Sequence, residues 1–206
     1  MASKEELLDY FDAQMQYLGT ATRQYVHEKG LWHKVIHVWI AQEIDGQIYV
    51  LFQQRSKQKK TFPNCLDISA AGHFSAGESE HEALREITEE LGISPLWQDM
   101  LFLGILPQDY GTLENHTNRE FCYTYLYKNQ FSAQAFQIPT HEVATLFWIE
   151  LQSAQSFFQE KQPQIEAIQF FTSEKQYFQL TNFVPATPHY YCDILHAIEQ
   201  YFCSYS

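Results

Sequence analysis

Residues 72–93, GHFSAGESEHEALREITEELGI, restrict the fold more than any other stretch of the chain. A glycine-bearing loop runs here into a helix crowded with carboxylates. At about 100° per residue, Glu82, Glu86, Glu89 and Glu90 fall within roughly a 100° arc, and Ala83, Leu84, Ile87 and Leu91 occupy the neighbouring arc. One stripe packs while the acidic one stays available. Like charges at these spacings weaken a helix unless positive charge sits among them. Arg85 answers part of that need, and a divalent cation answers the rest. Mg²⁺ takes oxygen ligands and completes its shell with water and substrate phosphates. By itself the run describes a solvated acidic helix face equally well.

The flanking sequence predicts a mixed sheet. Trp32–Ile40 is apolar on both faces, as a strand covered on both sides must be. Asp45-Gly46 then turns it into a second strand over Gln47–Gln53. Upstream, residues 5–20 suggest a strand or hairpin, followed by a helix near Ala21–Lys29 that Gly30 stops. Cys65–Ala71 reads as a short strand delivering Gly72, and Ser94-Pro95 as the end of the acidic helix. Met100–Leu106, Glu120–Tyr127 and Ala144–Glu150 predict further strands, with a polar loop over 109–119 as the rim of a pocket. Gln152–Glu160 and Tyr190–Phe202 predict helices, with Pro163, Pro185 and Pro188 punctuating the last third. No linker or repeat divides the 206 residues, so one domain is expected, its core at about 30–150 and both ends packed on it.

Charge and cysteine usage narrow the setting. A formal charge of −12 opposes a nucleic-acid-coating surface, while a small phosphorylated ligand can bring its own cations. Cys65, Cys122, Cys192 and Cys203 form neither a C-x-x-C pair nor a disulfide framework. MASKEELLDY is charged where a secretory leader is apolar, and no stretch approaches the roughly 18 apolar residues of a membrane span, so a cytosolic setting is expected. Arg55, Lys57, Lys59 and Lys60 are four of only 13 Lys and Arg, just upstream of the acidic helix. Arg55 and Lys59 are therefore candidate phosphate partners, the former bidentate and the latter a point charge. His33 and His37 face one side of the first long strand, as core histidines or as ligands.

Gly72, Glu78, Arg85-Glu86, Glu89-Glu90 and Gly92-Ile93 together resemble the Nudix box, G-x5-E-x7-R-E-U-x-E-E-x-G-U, with U a bulky aliphatic. One departure stands out: Glu78 and Arg85 enclose six residues instead of seven, which suggests a helix starting one residue late. The resemblance implies an α/β fold, a mixed β-sheet sandwiched between helices, and hydrolysis of a diphosphate with Mg²⁺ or Mn²⁺. By position, Glu86 and Glu90 bind metal and Glu89 binds metal or assists the water. The Ala71 carbonyl is a further ligand candidate, and Glu78 and Arg85 hold the loop against the helix by an ion pair. Glu120, opening a strand, matches the extra carboxylate that Nudix proteins take as base or ligand from outside the box.

The stretch RSKQKKTFPNCLDISAAGH also resembles type I isopentenyl-diphosphate isomerases, a Nudix-fold family. The isomerase carries a cysteine immediately before the Gly-His pair, where this chain has Ala71, and often a basic residue where it has Glu86. A pair of isomerase metal-binding glutamates maps to Asn118 and Glu120, so only the second is kept. Arg55, Lys59 and His73 survive as the substrate end. The resulting expectation is a metal-dependent hydrolase of a small nucleoside-type or isoprenoid-like diphosphate. An isomerase-like enzyme and a non-enzymatic sensor of a phosphorylated ligand are the alternatives. Oligomeric state and the group attached to the diphosphate stay open, and Tyr110, Trp148 and Phe183 are either base-stacking or core aromatics.

Overall fold

In the computed structural model, which describes residues 5–113, 116–187 and 189–204, residues 7–22 fold as a hairpin. Its strands are β1 (Leu7–Phe11) and β2 (Tyr17–Thr22). The Thr22 hydroxyl accepts from the Tyr25 amide and so caps α1 (Arg23–Lys29), while Gly30 closes it in the left-handed region at φ 61°. Ala21 therefore stays in the hairpin instead of joining the helix.

β3 (Trp32–Ile44) is the strand around which the sheet assembles. Asp45 and Gly46, both at positive φ (50° and 78°), turn it into β4 (Gln47–Arg55), as a two-residue hairpin requires. The predicted strand over 65–71 is interrupted: β5 (Leu66–Asp67) pairs with β4, and β6 (Ala70–His73) crosses to β3. Ser69 makes the crossing possible, since its buried hydroxyl donates to the Leu51 carbonyl and accepts from the Ile40 amide.

The acidic helix begins at Glu80, not late. Ser79 caps it with a full capping box, in which Glu82 reaches back to Ser79. The missing residue is taken up further along, at Leu84, where helix α2 (Glu80–Ala83) gives way to α3 (Arg85–Leu91). The preceding loop cannot absorb it, because the Ala76 and Gly77 amides are tied to the Leu7 carbonyl and to Asp9 of β1. Gly92, at φ 74°, ends α3 before Ser94-Pro95 is reached. A Cβ at Gly92 would lie 2.8 Å from the backbone of Gln137, so the position takes only glycine.

β7 (Met100–Leu113) and β8 (His116–Lys128) are longer than their apolar runs. The polar stretch expected to be a loop pairs as their distal arms, Asp109 opposite Arg119 and Thr112 opposite Thr117; Glu114 and Asn115 lie outside the described residues. β9 (Val143–Glu150) and α4 (Leu151–Phe158) follow as predicted. β10 (Ile165–Gln169) and β11 (Lys175–Phe178) were not foreseen; they extend the sheet beyond β9. α5 (Tyr190–Ser204) closes the described chain, and Pro188 is outside it.

The strand path runs β11-β10-β9-β4-β3-β1-β2, with β6 and β8 also on β3 and β7 on β8. The β3–β8 pair is parallel over ten residues, Trp32 opposite Arg119 through Ala41 opposite Lys128; the other ladders are antiparallel. Both faces are buried. Trp39, Phe52, Phe147 and Phe183 pack with α4 and α5, and Ile36, Val38, Ile40 and Leu51 pack with α2 and α3. Residues of β3 that neighbour one another in sequence thus serve opposite cores, which is why the run is apolar without alternation. The arrangement is the expected α/β fold. Among the described residues, no helix is long and apolar enough to cross a membrane.

Candidate active site

The site is built where α3 lies across β6. Gly72 pairs with Ile36 and Ala71 with His37, and the Gly72 Cα passes directly beneath Glu86. A Cβ on Gly72 would stand 2.0 Å from Glu86 Cδ and 2.3 Å from its Oε2, so the close approach exists only because residue 72 has no side chain. One helical turn on, Glu90 is buried, and its Oε2 accepts from the Ala71 amide and from Gln53 Nε2, both at 3.0 Å. Gln53 was not singled out in the sequence; its polar side chain within the apolar run of β4 was the available signal. Glu89 points outward, with 60% of its side chain exposed.

Arg85 locks this arrangement. Its Nε and Nη2 donate to Glu78 at 2.7 and 3.1 Å, and Nη2 also donates to the His73 carbonyl at 3.1 Å. The ion pair with Glu78 thus forms despite the shortened spacing. Nη1 donates to Glu86 at 2.6 Å and to both Glu89 oxygens at 3.3 Å, so all three carboxylates converge on one guanidinium. Glu82, on the acidic arc by sequence, is spent on its cap and takes no part.

Burial dominates the electrostatics. It pushes the Glu90 carboxyl up to about 8, helped by Glu86 and opposed by the Ala71 amide, Lys59 and Gln53. Burial likewise pushes Glu86 up to about 7 against the pull of Arg85. Two carboxyls held near neutrality at physiological pH amount to stored demand for positive charge. Carboxylate oxygens such as theirs and those of Glu89 are the donor type that suits a hard divalent ion.

The remaining candidates divide between fold and site. Arg55 is bound into the fold: Nη1 pairs with Asp67 at 2.8 Å, and Nε and Nη2 hold the Thr61 carbonyl. Lys59 pairs with Glu142, yet its charge still acts on Glu90 and His73. His73, next in sequence to Gly72, faces the other side of β6 and lies against His27 and His33. Glu120 sits on β8 opposite His33, buried, and accepts from Asn118 at 2.6 Å. Burial first, and Asp67 second, push it up to about 7. Beside it, Tyr190 Oη accepts from Trp39 Nε1 and hydrogen-bonds with His37 Nδ1 at 2.7 Å, and His37 Nε2 lies 3.9 Å from Glu120. Trp148 and Phe183 are core residues, 9% and 3% exposed.

Residues 31–171 match the family model described as NUDIX domain, and an uncharacterized Nudix hydrolase of Clostridium acetobutylicum is 33% identical over 202 residues, 95% of this chain and 98% of that one. The chain belongs to the Nudix family. Nudix hydrolase 3 of Arabidopsis thaliana is 32% identical over 142 residues, which is 67% of this chain but 18% of the plant protein. Among solved structures, a MutT/nudix family protein from Enterococcus faecalis shares the fold at a TM-score of 0.55 and 15% identity, covering 82% of this chain and 61% of that one. A Deinococcus radiodurans protein does so at 0.54 and 19%, covering 73% and 87%. The α3 carboxylates, Gly72 and the Glu78–Arg85 pair are thus the box of a Nudix hydrolase, an enzyme class acting on diphosphate bonds.

Proposed function

We propose that this Nudix hydrolase is a Mg²⁺- or Mn²⁺-dependent pyrophosphohydrolase that cleaves the diphosphate of a small nucleoside-type or isoprenoid-like substrate. The observation that carries the reading is the pair of proton-hungry carboxyls, the partly buried Glu86 and the buried Glu90, laid against Gly72 and Ala71 beside the exposed Glu89. Glu86, Glu90, Glu89 and the Ala71 carbonyl hold the metal. When bound, it polarises the phosphoryl oxygens and neutralises the charge that builds on them.

The chain's own residues supply the rest. Arg85 and Glu78 pin the loop so that Gly72 stays under Glu86. Gln53 fixes one oxygen of Glu90 and orients the other. Glu89, largely exposed, accepts a proton from the attacking water, with Glu120 as the second carboxylate able to serve as base. Lys59 places positive charge at the substrate end, and Arg55 braces the 55–61 turn that carries it. His73 contributes to that same end.

The test is a panel of nucleoside and isoprenoid diphosphates with Mg²⁺, Mn²⁺ or chelator, read as phosphate or monophosphate release. Metal-dependent turnover that Glu90→Gln removes without unfolding the chain supports the proposal. Full activity in Glu90→Gln, or in chelator, sinks it.

A further inference from the structure

Tyr190, the first residue of α5, is buried among Trp39, Phe183 and Tyr191, and carries a hydroxyl that such packing does not use. A buried hydroxyl costs stability unless it is hydrogen-bonded. Its oxygen accepts from Trp39 Nε1 at 3.3 Å, and an indole only donates. Among the described residues the remaining partner of the hydroxyl is His37 Nδ1, at 2.7 Å. His37 is buried as well, which favours a neutral ring with a single N–H.

His37 stands between the two halves of the site. On one side it is the register partner of Ala71, whose amide donates to Glu90. On the other, β8 runs parallel to β3, and Glu120 Oε2 lies 3.9 Å from His37 Nε2. Asn118 holds the other Glu120 oxygen at 2.6 Å, whereas Oε2 meets the weak donor Cys122 Sγ at 3.8 Å. The segment that delivers Tyr190 is fastened nearby. The Val184 amide donates to the Leu66 carbonyl at 2.8 Å, and the Thr187 amide and hydroxyl both donate to Gln108 Oε1, at 3.0 and 2.6 Å. Gln108 is the register partner of Glu120 on β7.

We propose that Tyr190 is a positioning residue of the hydrolase: its hydroxyl donates to His37 Nδ1, fixes the ring as the Nε2–H tautomer and aims that N–H at Glu120 Oε2, holding the carboxylate in the pose of a general base. This role rests on the reading of the site as hydrolytic, with Glu120 serving as base. A gap of 3.9 Å is longer than a hydrogen bond, and catalytic contacts that are long in a free enzyme tighten in its complexes. The end of the chain, beyond the matched residues 31–171, thereby takes part in catalysis without touching the reacting atoms.

NMR of metal-free, full-length protein labelled with ¹⁵N-histidine reads the tautomer directly. His37, assigned by its loss in His37→Gln, is expected as Nε2–H in the parent and as a different or mixed tautomer in Tyr190→Phe, which removes only the hydroxyl. On the diphosphate panel with Mg²⁺, Tyr190→Phe should lower kcat about fivefold, the scale of one net hydrogen bond, and leave KM unchanged. The double variant should lose no more than His37→Gln alone, since the two side chains act in series. In the residual turnover of Glu120→Gln, adding Tyr190→Phe should cost nothing further, whereas a merely structural tyrosine would lower kcat there as well. An Nδ1–H ring in the parent, full kcat in Tyr190→Phe, or an equal loss in the Glu120→Gln chain overturns the proposal and leaves the hydrolase reading intact. A parent without metal-dependent turnover strikes that reading, and this role with it.

Discussion

Gly72 shows how much of the site depends on one missing methyl. Alanine there has to displace Glu86 or part α3 from β6, and overpacking on this scale costs about 1–3 kcal/mol. Gly72→Ala is expected to lower the melting temperature and to abolish hydrolysis, checked by differential scanning fluorimetry alongside the substrate assay. Glu90→Gln is the opposite case. Its amide oxygen can still accept from Gln53 and the Ala71 amide, and no buried charge remains. The metal-free variant at pH 8 should melt no lower than the parent, while turnover falls at least about 100-fold, the scale of losing a preorganised charge partner. A large drop in melting temperature at that pH would contradict the account of Glu90.

At the level of elements, the shortened box is absorbed by the α2–α3 break at Leu84, because both ends of the intervening segment are anchored. Asp9 is the anchor at the loop end, accepting from the Gly77 amide at 2.8 Å and from the Thr20 hydroxyl at 2.6 Å. Asp9→Ala should loosen residues 75–79 at a cost of about 1 kcal/mol, seen as faster proteolysis of that loop and a several-fold fall in kcat. Unchanged proteolysis and kcat would show that Arg85 alone suffices. The box, β3, β4 and both flanking helices were legible because fixed spacing and two-faced apolarity leave few alternatives. The arms of β7 and β8 were not, since Asp109, Arg119 and Thr117 are polar and become strand only by pairing across the hairpin. β10 and β11 are short and lie among glutamines, with no pattern of their own. The bracing role of Arg55 was hidden for a related reason: its partner Asp67 is twelve residues away, and only the β4–β5 ladder reveals that they meet.

For the whole molecule, the buried Glu90 and Glu120 and the partly buried Glu86 set the pH response. Glu86, Glu90 and Glu120 have folded pKa values of about 7, 8 and 7, above the ordinary 4.5. A carboxyl raised by folding binds its proton more tightly when native. Its contribution is full below about pH 4.3 and is lost as pH rises through 7 to 8. Without divalent ions, the melting temperature should therefore decline from about pH 5.5 to 8.5. Added Mg²⁺ should stabilise most at the alkaline end, where protons no longer compete. A flat profile in chelator would mean that these groups are ordinary in the folded chain.

The parallel seam between β3 and β8 has a kinetic corollary. Residues 32–41 hydrogen-bond to residues 119–128, and the glutamate helix lies in the excursion between them. During synthesis, the loop bearing the box emerges well before the strand that braces β3 from its other side. Such distant closures are slow. Catalytic competence should therefore arrive late in refolding, after the helices have formed, and fragments ending before residue 128 should hold the complete box yet fail to turn over substrate.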